Sequence, residues 1–169
     1  MGAEEPNATY SYATVERALA RVFAVNEASR PGWFRARLQN FRRLGLTPSR
    51  PGRGKVVAYT LQDIDEWVLA FELIHFRVDP TLTVELVKKY RQKFREFAAD
   101  ARNSTLRTEV FVTLYIEGLS GLPRIGRSTK DLNALGNWLS DGEDRRISLF
   151  NLSVRLQSLD RALAEATRT

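Results

Sequence analysis

Between Thr14 and Arg102 the apolar residues recur mainly at spacings of three and four, and this helical period restricts the possible folds more than any other feature. The pattern ends at Asn103. From Val110 to Ile116 apolar residues occupy both alternating sets of positions, which is typical of a strand covered on both sides. We therefore expect an α+β chain, mainly helical in its first part and followed by a small α+β domain.

Two short helices are predicted at the start of this pattern. Residues 14–25 form the first, with Thr14 as its N-cap, and Gly32 to Leu44 form the second, which Gly45 ends. A helical wheel of the second helix places three apolar side chains in one sector: Phe34, Leu38 and Phe41. The opposite side carries Arg35, Gln39, Arg42 and Arg43.

Further elements follow in order. Thr47 to Tyr59 is a loop rich in Pro, Gly and Arg that enters a strand at Val56 to Tyr59. Thr60 and Asp63 form a capping box for a helix that extends to about Phe76, and Asp79 with Pro80 opens the next helix, which ends near Arg102. The remaining expectations are a loop or irregular hairpin at 118–130, a short helix through Trp138 and Leu139, a strand at 146–151 and a final helix at 153–166.

The final helix carries a leucine seam at alternating spacings of four and three, which is more typical of core packing than of a coiled coil at this length. The seam and the doubly apolar strand are nevertheless the elements that we expect to form an interface between chains.

The positive charge is confined to one part of the chain. Residues 14–59 contain ten basic side chains, nine of them arginine, against only Glu16 and Glu27, a local balance of +8 in a chain whose net charge is +6. From Thr60 onward the sixteen basic and sixteen acidic residues cancel. A positive potential restricted to one module is typical of a surface that binds a polyanion, and arginine suits phosphates and guanine edges. The alternative is a solvated basic face without a partner.

Several classes of function are excluded or disfavoured. The chain has no cysteine, which excludes disulfides and thiolate metal sites. No uncharged stretch of 18 apolar residues and no secretion signal is present, so we expect a cytoplasmic, nucleoid-associated protein without a membrane partner.

His75 is the single histidine, and we expect it to be packed in the core or in an interface. Because no catalytic or metal-binding constellation is visible, and the GLSGLPRIG loop lacks a phosphate-loop pattern, we expect neither an enzyme nor a cofactor.

The order of these pieces resembles the winged helix-turn-helix DNA-binding domain of MerR-type regulators over about residues 14–90. FRARLQNFRRLGLTP (Phe34 to Pro48) is similar to that family's second helix and its exit. GRGKVVAYTLQDIDEW (Gly52 to Trp67) is similar to its wing and the helix that follows, and Leu69 to Tyr90 is similar to its next pair of helices. The turn between the first two helices is longer than usual in the family. Residues 105–169 do not match the family's dimerisation arrangement, and the family's thiol and metal effector sites cannot be carried over.

The resemblance implies a winged helix-turn-helix domain at 14–77, a connecting helix at 78–102 and a small α+β dimerisation or partner-binding domain at 103–169. The second helix, around 32–44, would read DNA in the major groove, and a basic wing, around 48–57, would follow the backbone. The expected DNA-binding residues are Arg30, Arg35, Arg37, Gln39, Arg42, Arg43, Arg50, Arg53 and Lys55. Arg37 lies nearer the apolar side of the wheel, which indicates a phosphate contact or an internal ion pair.

We therefore predict a sequence-specific transcriptional regulator that binds double-stranded DNA as a homodimer, because one such module buries too little surface to select a site tightly. The carboxy-terminal part is left for dimerisation, a protein partner or a small-molecule effector. A second interpretation is a DNA-architectural, excisionase-like or terminase-small-subunit-like protein that uses the same module without regulating transcription. A third is a module whose basic face binds an acidic protein.

Overall fold

A computed structural model describes residues 8–25, 31–46, 57–103, 109–117, 124–129 and 145–168 of the 169-residue chain. The fold is α+β, with helices forming most of it. In chain order the described elements are β1 (Thr9–Tyr10), α1 (Tyr12–Val22), α2 (Pro31–Arg43), β2 (Tyr59–Thr60), α3 (Leu61–His75), α4 (Pro80–Arg102), β3 (Phe111–Glu117), β4 (Arg124–Thr129), β5 (Arg145–Asn151) and α5 (Leu152–Thr167). None of the described helices is long and apolar enough to cross a bilayer.

The caps of the helices confirm some expectations and correct others. Thr60 and Asp63 form the predicted capping box at the start of α3, and Asp79 caps α4 with Pro80 in its first turn. The predicted N-cap of α1 was wrong by three residues, because the hydroxyl of Ser11, not that of Thr14, accepts the N-terminal hydrogen bond, from the backbone N–H of Thr14 at 3.2 Å.

Three helices end in the same way. A backbone N–H that lies beyond each helix donates to a carbonyl five residues earlier: Val25 to Ala20, Leu46 to Phe41 and Val78 to Leu73. The residue just before each of these donors has a positive φ: Ala24, Gly45 and Arg77. This Schellman-type ending stops α1 at Val22, short of the predicted residue 25.

Two small antiparallel sheets complete the described structure. Strand β1 pairs with β2 through Thr9 and Thr60 and through Tyr10 and Tyr59. The second sheet has the order β4-β3-β5. Residues 124–129 thus confirm the hairpin interpretation of the region after β3, with an irregular register between Val112 and Leu114. The helix expected through Trp138 and Leu139 lies outside the described residues.

Helix α5 packs against α1 and α4, so residues from both ends of the sequence contribute to one set of core contacts. The start of the helix is also tied to the sheet, because the buried Ser153 hydroxyl accepts a hydrogen bond from the N–H of Val110 at 2.8 Å. This packing confirms that the leucine seam belongs to the core, and it corrects the expectation that the seam contributes to an interface between chains. The seam is buried within the chain, at Leu152, Leu156, Leu159 and Leu163. The division of the sequence at residues 77 and 103 stays a prediction.

Candidate nucleic-acid interface

Helix α2 is fixed to the core by aromatic contacts on one face. Phe34, Leu38 and Phe41 are buried, as the helical wheel predicted. The ring of Phe34 stacks on that of Phe71 in α3 with centroids 4.9 Å apart, and Phe41 meets the same ring edge-on at 5.6 Å. Because α2 is held from this side, its opposite side is presented outward in a defined orientation.

The outward side of α2 is polar and carries no acidic residue. Gln39 and Arg43 are exposed, as are Gly32 and Ala36 on the same side. A side chain added at Gly32 would meet nothing within 4 Å, which shows open space at the start of the helix. Gly32 and Ala36 are small enough to let the backbone of α2 approach the floor of a groove in a partner. The side chains of Gln39 and Arg43 supply hydrogen-bond donors toward it.

Arg35 is exposed but held from one side. Its Nε donates to Oε1 of Glu16 in α1 at 2.8 Å, and the hydrogen bond and charge of Glu16 raise the pKa of Arg35. Glu16 is one of only two acidic residues in residues 14–59, the basic span of the sequence. The contact sets the direction of the Arg35 side chain and cancels part of its charge.

Arg42 occupies a different environment from the expected one. It is half-buried, and its guanidinium carbon lies 5.0 Å from the centre of the Tyr12 ring. Tyr12 in turn packs against Tyr59 and Trp67. Arg42 therefore contributes to the contact between α2 and the aromatic cluster at β2 and α3, so its predicted role as a base-reading side chain is not the one its position favours.

The surroundings of Tyr12 and Tyr59 shift the pKa values of their hydroxyl groups. Burial is the main cause that raises the pKa of the Tyr12 and Tyr59 hydroxyls, and the nearby charge of Arg42 offsets part of the increase. Both hydroxyls are uncharged near neutral pH, which suits a packed role.

The structure places the other predicted residues unequally. Arg37 is half-buried on the flank of α2, in agreement with its position on the wheel. Arg30 and the basic residues of the wing lie outside the described residues: Arg50, Arg53 and Lys55. The described part therefore brings together the α2 residues and leaves the wing a prediction.

Two arginines of the basic span have a structural role that the charge pattern did not reveal. Arg17 donates to the backbone carbonyl of Ala166 at 3.0 Å, and Arg21 forms an ion pair with Glu165. Both contacts join α1 to the last turn of α5. No feature of the local sequence points to these partners, because they lie more than 140 positions away.

Trp33 differs from most of the large aromatic side chains of the described helices. Trp67, Phe71 and Phe94 are buried. Trp33 is 47% exposed, on the flank of α2 beside the outward face, and its ring stacks on Phe34 at 6.1 Å. It adds an apolar surface next to the polar one.

Helix α3 buries three carboxylates that sequence analysis did not single out: Asp65, Glu66 and Glu72. Each pairs with an arginine of α4 or α5. Arg102 holds Asp65 by two hydrogen bonds of 2.6 and 2.7 Å, Arg91 and Arg95 both contact Glu66, and Arg155 contacts Glu72 at 2.8 Å. Three of the sixteen acidic residues after Thr60 are therefore paired with arginines inside the molecule and add little to its outward charge.

The remaining titratable groups do not form a further site in the described structure. The His75 side chain is 52% exposed, which excludes the expected core position and leaves the expected interface position a prediction; its ring and that of Phe23 meet edge-on with centroids 5.4 Å apart. No group of three or more candidate metal ligands occurs among the residues that the structure describes. Three acidic residues that lie close together in the sequence, Asp141, Glu143 and Asp144, are outside the described residues.

Comparison of the sequence with models of known protein families gives no match, and comparison with curated proteins gives none either. The charge distribution of the sequence and the geometry of α2 are therefore the features that point to a function.

Proposed function

We propose that this chain is a winged helix-turn-helix protein that binds double-stranded DNA and acts as a sequence-specific transcriptional regulator. The observation that carries the proposal is the two-sided character of α2. One side is fixed on Phe71, and the other presents Gln39 and Arg43 without any acidic residue on the helix.

The chemistry of the outward face fits the major groove. A glutamine side chain can bind adenine by two hydrogen bonds, an arginine can bind guanine in the same way, and an exposed alanine such as Ala36 fits a thymine methyl group. Arg35, oriented by Glu16, is suited to a flanking phosphate. The basic wing would add backbone contacts on the carboxy-terminal side of α2.

The proposed homodimer would place two copies of α2 on a two-fold related site. Since the leucine seam of α5 is buried within the chain, the support comes from other surfaces. Leu149 of β5 and Val154 of α5 are the large apolar side chains of the described carboxy-terminal part that are exposed, at 42% and 47%. Light scattering after size-exclusion chromatography, with and without DNA, would measure the oligomeric state, and a monomer under both conditions would reject the dimer.

Selection from a random duplex library followed by anisotropy titrations over a range of salt tests DNA binding. We expect a defined sequence motif. We also expect Gln39→Ala and Arg43→Ala each to weaken binding to that motif by about 1 to 3 kcal/mol and to weaken binding to random duplexes much less. Arg161→Ala is a control for Arg43→Ala, because it removes the same charge from the exposed surface of α5.

The outcomes separate the candidate roles. Binding and bending of duplexes without a selected motif would favour a DNA-architectural protein over a regulator. Failure to bind any duplex at low salt would reject the proposal and would favour an acidic protein as the partner of the basic face.

A further inference from the structure

We propose that Arg155 is a positioning residue. Through this side chain α5 fixes the carboxy-terminal end of α1. Through the packed rings of Phe23, Phe71 and Phe34, which we call the aromatic relay, it also fixes the orientation of α2. The consequence for DNA affinity rests on the function proposed above. The contact network itself does not depend on that function.

Arg155 joins three elements with one side chain. Its Nη1 donates to the carbonyl oxygen of Val22 at 3.0 Å, its Nε lies 2.8 Å from Oε1 of Glu72, and its guanidinium carbon lies 4.9 Å from the centre of the Phe23 ring. A planar fork can make these contacts together, whereas the single ammonium of a lysine cannot.

The location of these contacts is significant. Val22 is the last residue of α1, where free carbonyl groups give the helix end a partial negative charge that attracts a cation. Phe23 follows directly, and the next described helix after it is α2. Arg155 thus binds the point where the chain leaves α1 on its way to the proposed recognition helix.

The aromatic relay extends from this point to α2. The ring of Phe23 packs on that of Phe71 with centroids 5.0 Å apart, and Phe71 stacks on Phe34 at 4.9 Å. Phe71 therefore lies between the ring that Arg155 covers and the ring that anchors α2. A shift of the Phe23 ring would displace Phe71 and, through it, Phe34 of α2, because packed side chains have little free volume to absorb the movement.

The burial of Glu72 explains why the position requires an arginine and how it must be tested. Glu72 is nearly inaccessible, and the other titratable side chain near it is His75, whose Nδ1 is 3.9 Å from Oε2 of Glu72. Removal of Arg155 alone would leave a buried carboxylate without its main partner and would destabilise the whole protein. The informative variant is therefore Glu72→Gln combined with Arg155→Met, which keeps the apolar stem and removes both charges.

The test measures duplex affinity and regional hydrogen exchange. We expect the double variant to fold, to bind the selected duplex about threefold to tenfold more weakly, and to exchange faster in residues 31–43 than the wild type, with little change in residues 80–102. Arg155→Lys, which keeps a positive charge beside Glu72, should bind the selected duplex more tightly than the double variant and more weakly than the wild type. Two controls are matched: Glu72→Gln alone, and Arg161→Met, which removes one charge from the exposed surface of α5. Within the described residues, the Arg161 side chain donates to the Gln157 carbonyl of its own helix.

Wild-type affinity together with wild-type exchange in α2 would overturn the proposal. Equal acceleration of exchange in α2 and α4 would also overturn it, because it would show general destabilisation without positioning. If the wild-type chain bound no duplex, that result would reject the proposed function, and the exchange measurement alone would decide whether Arg155 positions α2.

Discussion

Nε of Arg35 in α2 lies 2.8 Å from Oε1 of Glu16 in α1, so the outward face of the proposed recognition helix contains a cation that is already paired within the protein. The carboxylate orients Arg35 and also places a negative charge beside a surface that we propose approaches phosphates. These two effects act in opposite directions on DNA binding.

We predict that Glu16→Gln binds any duplex more tightly than the wild type. The change removes a repulsive charge and frees Arg35 for a phosphate, so the salt dependence should become steeper by about one counterion. Anisotropy titrations with random duplexes at several salt concentrations measure both quantities. Asp100→Asn, at an exposed residue of α4, makes the same change in net charge. Equal gains in the two variants would show an effect of net charge without any role for the ion pair.

The local features of the helices were largely predictable from sequence, because caps and amphipathic faces depend on residues within one or two turns. The Thr60 and Asp63 capping box, the Asp79 cap with Pro80, and the buried face of α2 are examples. The strand β1 was not predictable, since two residues carry no period and are defined by their pairing with β2.

The long-range contacts could not be obtained in this way. A wheel assigns Arg42 to the polar side of α2, but its position over Tyr12 depends on how two helices meet. Similarly, a charge count treats Arg17, Arg21 and Arg155 as equivalent cations. Arg17 contacts the carbonyl of Ala166, Arg21 contacts Glu165, and Arg155 contacts the carbonyl of Val22 and the buried Glu72. These groups become neighbours only in the folded chain, where α5 meets α1 and α3. The sequence shows where positive charge is concentrated, and the packing determines which arginines are engaged within the protein.

Arg77 provides a test of the helix endings. It has φ +62° at the end of α3, where Gly45 occupies the equivalent place after α2. A side chain in this left-handed region is strained, so we predict that Arg77→Gly raises the free energy of unfolding by about 0.5 to 1 kcal/mol. Urea denaturation measures the change. Arg77→Ala removes the same charge but keeps a Cβ, and a similar gain in that variant would assign the effect to charge instead of backbone strain.

Gly126 provides a test of the β3–β4 contact. A Cβ built at this residue would lie 1.8 Å from Oγ1 of the buried Thr113, so no side chain fits without displacing β3 or β4. We predict that Gly126→Ala lowers the free energy of unfolding by about 1 to 3 kcal/mol. Adding Thr113→Ala should recover part of this loss, because it removes the hydroxyl that the methyl group meets.

The control for this prediction is Gly32→Ala in α2, where a Cβ meets nothing within 4 Å and alanine favours the helix. That variant should be neutral or more stable than the wild type. Thermal unfolding of the single and double variants would show the difference, and additive effects of Gly126→Ala and Thr113→Ala would contradict the steric explanation.

The pH dependence of stability tests the environment of Glu72. Burial raises the pKa of Glu72 above its ordinary value of 4.5, and the charges of Arg155 and His75 and a hydrogen bond from Arg155 offset only part of this increase. The folded state therefore holds the proton more tightly than the unfolded state does. Its contribution to stability is fully present below about pH 4.5 and is lost as the pH rises through the folded pKa.

We predict that Glu72→Gln removes this loss, because a neutral amide does not titrate. The free energy of unfolding of the wild type should fall relative to that of Glu72→Gln as the pH increases from 4 to 7, and urea denaturation at each pH measures the difference. Burial also raises the pKa of Asp65, but this carboxyl group is present in both proteins, so its titration cancels from the difference in free energy of unfolding. A difference that stayed constant over this range would show that the attraction of Arg155 balances the effect of burial, and a difference that changed in favour of the wild type would show that Arg155 stabilises the ionised carboxylate by more than burial opposes it. Either result would contradict the prediction.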